Sequence, residues 1–149
     1  HLPQPSFADV EVARLLHRVA GLETRMGVSV TAGPDIGVRG DRDQLEQLLI
    51  NVIANAVEAS LQRRPDGGGQ VALGWRADGE AVEIHVDDDG PGLPEGVDVF
   101  VPFYTTKDQG SGIGLTLSRQ IAEAHGGSLT LENRSNGSGC RACLRLPLG

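Results

Sequence analysis

Residues 45–60, LEQLLINVIANAVEAS, restrict the possible folds of this chain more than any other stretch. Leu45, Leu48, Leu49, Val52, Ile53, Ala56 and Val57 recur at helical spacing, which predicts a long amphipathic helix with one wide apolar face. At about 100° per residue, Gln44, Gln47, Asn51, Asn55, Glu58 and Gln62 fall in a polar stripe about 80° wide. Asn51 and Asn55 stand one turn apart on it. Asparagine is a poor choice mid-helix, because its amide competes for nearby backbone groups. A helix this long needs a second layer to cover its apolar face, so the flanking segments decide the architecture.

Those segments alternate between helix and strand. Residues 1–8, with two prolines, read as the tail of a linker, and the start at His1 suggests a piece of something longer. A helix is expected from Asp9 or Val10 to about Met26, on Val12, Leu15, Leu16, Val19 and Leu22, with Asp9 as its cap and Gly27 as its stop. Short extended pieces follow at 28–31 and 36–39. Asp41 caps the central helix, which ends by Arg64 ahead of Pro65 and the glycines 67–69. Residues 71–75 and 82–86 alternate around an Asp78-Gly79 turn and predict a hairpin. A glycine turn opens another helix at 112–125, on the face Ile113, Leu117, Ile121 and Ala124, and Gly126-Gly127 ends it. Strands are expected at 128–132 and 140–146. The expected fold is an α/β two-layer sandwich, a mixed and largely antiparallel sheet covered on one face by about three helices.

Composition limits the function. A formal charge of −7 argues against a nucleic-acid binder. There is no apolar stretch near 18 residues and no secretory signal, so a soluble, cytoplasmic piece is expected. Cys140 and Cys143 have no second pair to complete a zinc site, and three residues apart in a strand they face opposite sides. One is therefore expected to be buried and the other exposed or at an edge. Structural roles are expected for all four histidines, His1, His17, His85 and His125.

Three stretches carry chemistry. Asp87-Asp88-Asp89-Gly90-Pro91-Gly92 puts three carboxylates at a strand end beside glycines that let a ligand approach the backbone. A carboxylate there can accept a hydrogen bond from the exocyclic amine of adenine, where guanine offers a carbonyl. Gly110-Ser111-Gly112-Ile113-Gly114 runs into a helix whose unpaired N–H groups suit phosphate. It follows no strong strand and lacks the Gly-Lys-Ser/Thr ending, so neither a dinucleotide fold nor a P-loop explains it. Between them lie three of the five aromatics, Phe100, Phe103 and Tyr104, followed by Thr105, Thr106 and Lys107. Apolar anchors on a glycine-bounded polar loop suggest a lid, and Lys107 a cation for a terminal phosphate.

In this order, the set resembles the ATP-binding catalytic domain of bacterial sensor histidine kinases, in the wider group with type II topoisomerases, Hsp90 and mismatch-repair ATPases. Residues 51–56 look like the N box, 88–92 like the first glycine box, 100–107 like the F box and 110–115 like the second glycine box. With only Asp108 and Gln109 between Lys107 and the second glycine box, the lid looks most like the short one of the nitrogen-regulation class.

The resemblance implies an ATP-binding domain over 9–149, with a lid at about 94–111. It implies that Asn55 coordinates Mg²⁺ with help from Asn51, that Asp88 holds the adenine amine, and that Gly90 and Gly92 shape the base pocket. Gly110, Gly112 and Gly114 would lend donors to the phosphates, and Lys107 would reach the β or γ phosphate. Phe103, Thr105, Thr106 and Leu115 would complete the nucleotide site. Asn51, Asn55 and Lys107 would then be the catalytic set, with ATP and Mg²⁺ as cofactors.

Two positions depart from relatives. Asn51 stands where the hydrolysing members carry a glutamate, and an amide is no general base. That favours phosphotransfer over hydrolysis. Glu58 stands where many kinases carry Lys or Arg, and the sequence leaves open whether it joins the metal site through water or points away. No histidine has the context of a phosphoacceptor, so the expected partners are a separate dimerisation and histidine-phosphoacceptor domain and a downstream response regulator. The fragment alone is expected to be monomeric, to bind ATP and not to phosphorylate itself. The competing expectations are a non-catalytic ATP-sensing module and an anti-sigma-type serine kinase.

Overall fold

The computed structural model describes residues 3–93, 112–135 and 138–148, with the backbone alone for 112–114. The expected lid, with Phe100, Phe103, Tyr104, Thr105, Thr106, Lys107, Gly110 and Ser111, lies outside the described residues.

In chain order the elements are β1 (Ala8–Glu11), α1 (Val12–Leu22), β2 (Val28–Val30), β3 (Gly37–Gly40), α2 (Arg42–Arg63), β4 (Val71–Ala77), β5 (Ala81–Asp88), α3 (Gly112–Ala124), β6 (Ser128–Asn133) and β7 (Cys140–Pro147). Five strands form the main sheet in the order β2-β4-β5-β7-β6. Among the described residues only the β2–β4 pair is parallel. The three helices cover one face, as expected. All seven apolar positions of α2 named above are buried. They meet Leu73, Val82, Ile84, Val86, Leu129, Ala142, Leu144 and Leu146 from the sheet. Each such aliphatic side chain contributes about 1.5–3 kcal/mol by leaving water.

Three local expectations are corrected. Residues 8–11 form a strand, not the start of a helix, because Val10 pairs with Val38 in a separate two-stranded sheet with β3. Asp9 therefore caps nothing; it faces Arg39 at 3.1 Å. At its far end α1 stops at Leu22, four residues early. There the Glu23 carboxylate accepts the Arg25 N–H at 2.7 Å, a local bond that replaces the next helical turn. The inner face of α3 is also turned from the expected one. Leu115, Ser118, Ile121, Ala122 and His125 are buried while Ala124 is exposed. Small Ser118 lets α3 approach α2 closely, and its hydroxyl donates to the Leu48 carbonyl at 3.4 Å.

Caps and turns follow the sequence elsewhere. Asp41 Oδ1 accepts from the Gln44 N–H at 3.1 Å, and Oδ2 from the Ser6 N–H at 2.9 Å. The Asp41 carboxyl is held below its ordinary pKa by these two N–H groups. His125 ties the end of α3 to the start of α2. Its Nδ1 donates to the Ile121 carbonyl at 2.8 Å, and its Nε2 accepts from the Asp41 N–H at 3.0 Å. Asp78 turns the β4–β5 hairpin by accepting from the N–H groups of Glu80 and Ala81, with Gly79 at φ +93°.

The face of the sheet away from the helices is polar. Arg76 and Arg145 both pair with Glu83, Arg145 also reaches Asp78, and Arg141 grips Asp87 through two nitrogens at 2.7 and 2.8 Å. No helix among the described residues is long and apolar enough to cross a membrane.

Candidate functional site

The three carboxylates at the end of β5 diverge, which resolves their repulsion. Asp87 points to the polar face. Burial pushes its carboxyl up, but Arg141 outweighs that and holds it below its ordinary pKa. Asp88 points inward, 2% exposed, and its Oδ1 accepts from the N–H groups of Gly90 (2.8 Å) and Cys140 (3.2 Å). Asp89 turns back to α2. Its Oδ1 accepts from the Ser60 hydroxyl at 2.6 Å and its Oδ2 from the Gln70 N–H at 2.9 Å. Asp88 alone of the three is a buried carboxylate at the glycine turn, and a buried ionisable group requires compensating donors.

The turn after Asp88 is clamped on both sides. Gly90 lies against α2, where a Cβ would come within 2.7 Å of Ala59, four residues beyond Asn55. Gly92 has φ +86°, and a Cβ there would press on Asn133. Asn133 in turn accepts from the Leu93 N–H at 2.6 Å and donates to the Leu93 carbonyl at 3.3 Å. Arg134 donates to the Asp88 carbonyl at 3.0 Å, and Gly139, at φ +112°, leaves no room for a Cβ against that same carbonyl. Arg63 spans from the Asp89 carbonyl to the Ser138 hydroxyl. Such clamping fixes the turn before any ligand arrives.

Asn51 and Asn55 are half-buried on the outer stripe of α2. Gln47 Nε2 donates to Asn51 Oδ1 at 3.0 Å, which orients that amide. The glycine turn after Asp88 thus meets α2 at Ala59, four residues beyond Asn55. Glu58 lies 3.5 Å from the Arg25 guanidinium, which Glu23 also grips at 2.9 Å. Gly112 and Gly114 begin α3, and Leu115 is buried in its first turn.

The sequence singled out Asp88, Gly90 and Gly92 but missed what holds them: Ser60, Asn133, Arg134, Gly139 and the Cys140 N–H. Glycine just ahead of a strand was the one signal pointing to Gly139. The others act through partners between 29 and 52 residues away, which no local pattern marks. His17 is exposed on α1, and His85 is half-buried in β5.

Asn51 and Asn55 offer neutral, hard oxygen donors of the kind that suits Mg²⁺, and Asp88 a carboxylate acceptor beside glycine backbone that carries no Cβ. The donor chemistry fits a magnesium–nucleotide complex.

Comparison with known proteins agrees with this arrangement. Residues 40–149 match the family described as histidine kinase-, DNA gyrase B- and HSP90-like ATPase. The sensor protein kinase PilS of Pseudomonas aeruginosa is 38% identical over 122 residues, 79% of this chain and 22% of PilS. The catalytic domain of the histidine kinase ThkA superposes with a TM-score of 0.81 at 30% identity, covering 95% of each chain. Full-length ShkA in complex with AMPPNP superposes with a TM-score of 0.81 at 27% identity, over 99% of this chain and 32% of ShkA. The chain thus spans about a fifth of the length of PilS. Mixed sheet, helical layer, amide-bearing helix and clamped acidic glycine turn all lead to one assignment: the chain belongs to the histidine kinase-, DNA gyrase B- and HSP90-like ATPase family and is an ATP-binding domain of the histidine-kinase kind.

Proposed function

We propose that this domain binds Mg-ATP across the stripe and the clamped turn, and donates the γ-phosphoryl group to a histidine on a separate dimerisation and phosphoacceptor domain. Supporting this above all is the packing of Gly90, two residues after Asp88, on Ala59, which stands about one helical turn beyond Asn55 on α2. The AMPPNP in ShkA, similar over 99% of this chain, supports the nucleotide.

In this reading Asp88 accepts the adenine amine, and Gly90 and Gly92 let the base lie against backbone. The Asn55 and Asn51 amide oxygens hold Mg²⁺. Gly110, Gly112 and Gly114 would lend N–H groups to the phosphates, and Phe103, Thr105, Thr106, Lys107 and Leu115 would complete the nucleotide site. Bound Mg-ATP supplies the transferable phosphoryl group and a counter-charge that spreads its negative charge. No carboxylate stands at position 51 to take a proton from water, which favours transfer to a protein acceptor over hydrolysis. The acceptor comes from the partner domain, and a cytosolic response regulator consumes the phosphohistidine.

Asp88→Asn tests the core of this proposal. Replacing the charged acceptor weakens ATP binding by about 1.5–3 kcal/mol, roughly 10- to 150-fold. Unchanged affinity in a folded variant contradicts the adenine assignment. Mixing the domain with its phosphoacceptor partner should give a base-stable, acid-labile phosphoprotein. An acid-stable, base-labile product would identify a serine kinase instead, and no product a sensing module.

A further inference from the structure

On the polar face of the sheet, away from the nucleotide site, three side chains with metal-ligating atoms converge. His85 and Cys143 are direct cross-strand partners on β5 and β7, so their side chains share one face. Glu83 precedes His85 by two residues on β5 and joins the same face. One ligating atom from each of Glu83, His85 and Cys143 lies within 4.8 Å of the others, and all three residues are half-buried. His85 Nε2 is 3.8 Å from Glu83 Oε1, while its Nδ1 is buried with no hydrogen-bond partner among the described residues.

We propose that Glu83, His85 and Cys143 form a site for a thiophilic divalent ion of the Zn²⁺ class. Bonds of about 2.0–2.3 Å to the metal require ligand atoms about 3.4–3.8 Å apart, and the three atoms lie within 4.8 Å of one another, so binding draws them together by about 1 Å. Three protein ligands leave a fourth position open. His85 also lines a groove of about 300 Å³ with Thr31, Trp75, Arg76, Asp87 and Arg141, so the His85 side of the cluster borders open space. Arg76 and Arg145 hold the Glu83 carboxylate at 2.8 Å each, which fixes its orientation in the manner of outer-shell partners. Their charges also oppose a hard cation that binds through oxygen alone. Thiolate and imidazole bonding therefore decides selectivity, and Mg²⁺ is excluded. Binding exchanges the Cys143 S–H bond for an S–metal bond and releases one proton to solvent. The ion would clip β5 to β7 a few residues before Asp88, without touching the nucleotide.

Titration of the reduced chain with Co²⁺, then displacement by Zn²⁺, tests the site. One equivalent should bind with a thiolate-to-cobalt absorption band, and a large excess of Mg²⁺ should not compete. Cys143→Ser should lose the band, while Cys140→Ala keeps it. His85→Gln and Glu83→Gln should each weaken binding by about tenfold or more. Should Cys143→Ser fail to fold, alkylation of the unmutated chain decides: Zn²⁺ must slow modification of Cys143 at least tenfold. No band in folded protein, a band that survives Cys143→Ser, no protection of Cys143, or affinity unmoved by both other variants overturns the proposal.

Discussion

Cys140 and Cys143 show how one residue of strand register determines reactivity. Cys140 faces the helices, where burial pushes its thiol up to about 12, with the Asp88 charge adding to the effect. Cys143 faces the polar side, half-buried, and is raised first by burial and then by Glu83. Alkylation at pH 8 in chelator should therefore modify Cys143 slowly and Cys140 only after unfolding, as read by peptide mass spectrometry. Faster labelling of Cys140 would contradict the register. This pair was legible from spacing alone, because alternation in a strand is a local rule. The roles of Asp87, Asp88 and Asp89 were only half legible. Their identity announced a charged strand end, but which of them turns inward depends on Arg141, Cys140 and Ser60, whose proximity only the fold creates.

Among the elements, α2 is the one whose sequence and structure agree in most detail, from the Asp41 cap to the seven buried positions. Its pattern is long enough for periodicity to decide, and Asp78-Gly79 marks the hairpin by turn chemistry. The β1 strand was not legible, since Val10 meets Val38 and not a near neighbour. Nor was the early end of α1, which depends on one side chain capturing a backbone N–H. Asp41 bears on both kinds of contact, capping α2 and holding Ser6. Asp41→Ala should cost about 1–2 kcal/mol in urea unfolding, and Asp41→Asn much less, because an amide oxygen still accepts from Gln44. A neutral Asp41→Ala would mean that the His125 tether and the apolar face alone fix the start of this helix.

At the scale of the whole molecule, acidic groups outnumber basic ones, and several carboxylates are committed to donors in the folded state. Asp41, Asp78 and Asp87 are held below 3.8, Asp78 at about 2 through the Glu80 and Ala81 N–H groups, and Glu23 is held below 4.5. Because the folded values are depressed, the stability they provide is complete above the unfolded values and is lost as pH falls through the folded ones. The urea midpoint should stay level as pH falls to about 5 and then drop steeply towards about 2. A midpoint that rises between pH 4 and 3 would contradict the assignment of these donors.

The same folded frame holds the amide stripe and the clamped turn in register before any nucleotide arrives, and the proposed site depends on that preorganisation. Calorimetric titration of the folded chain with AMPPNP, with and without Mg²⁺, tests this most directly. One equivalent should bind, more tightly with the metal, and Asn55→Ala should remove that metal dependence while leaving the fold intact. Absence of binding at millimolar nucleotide by a folded sample would contradict the account.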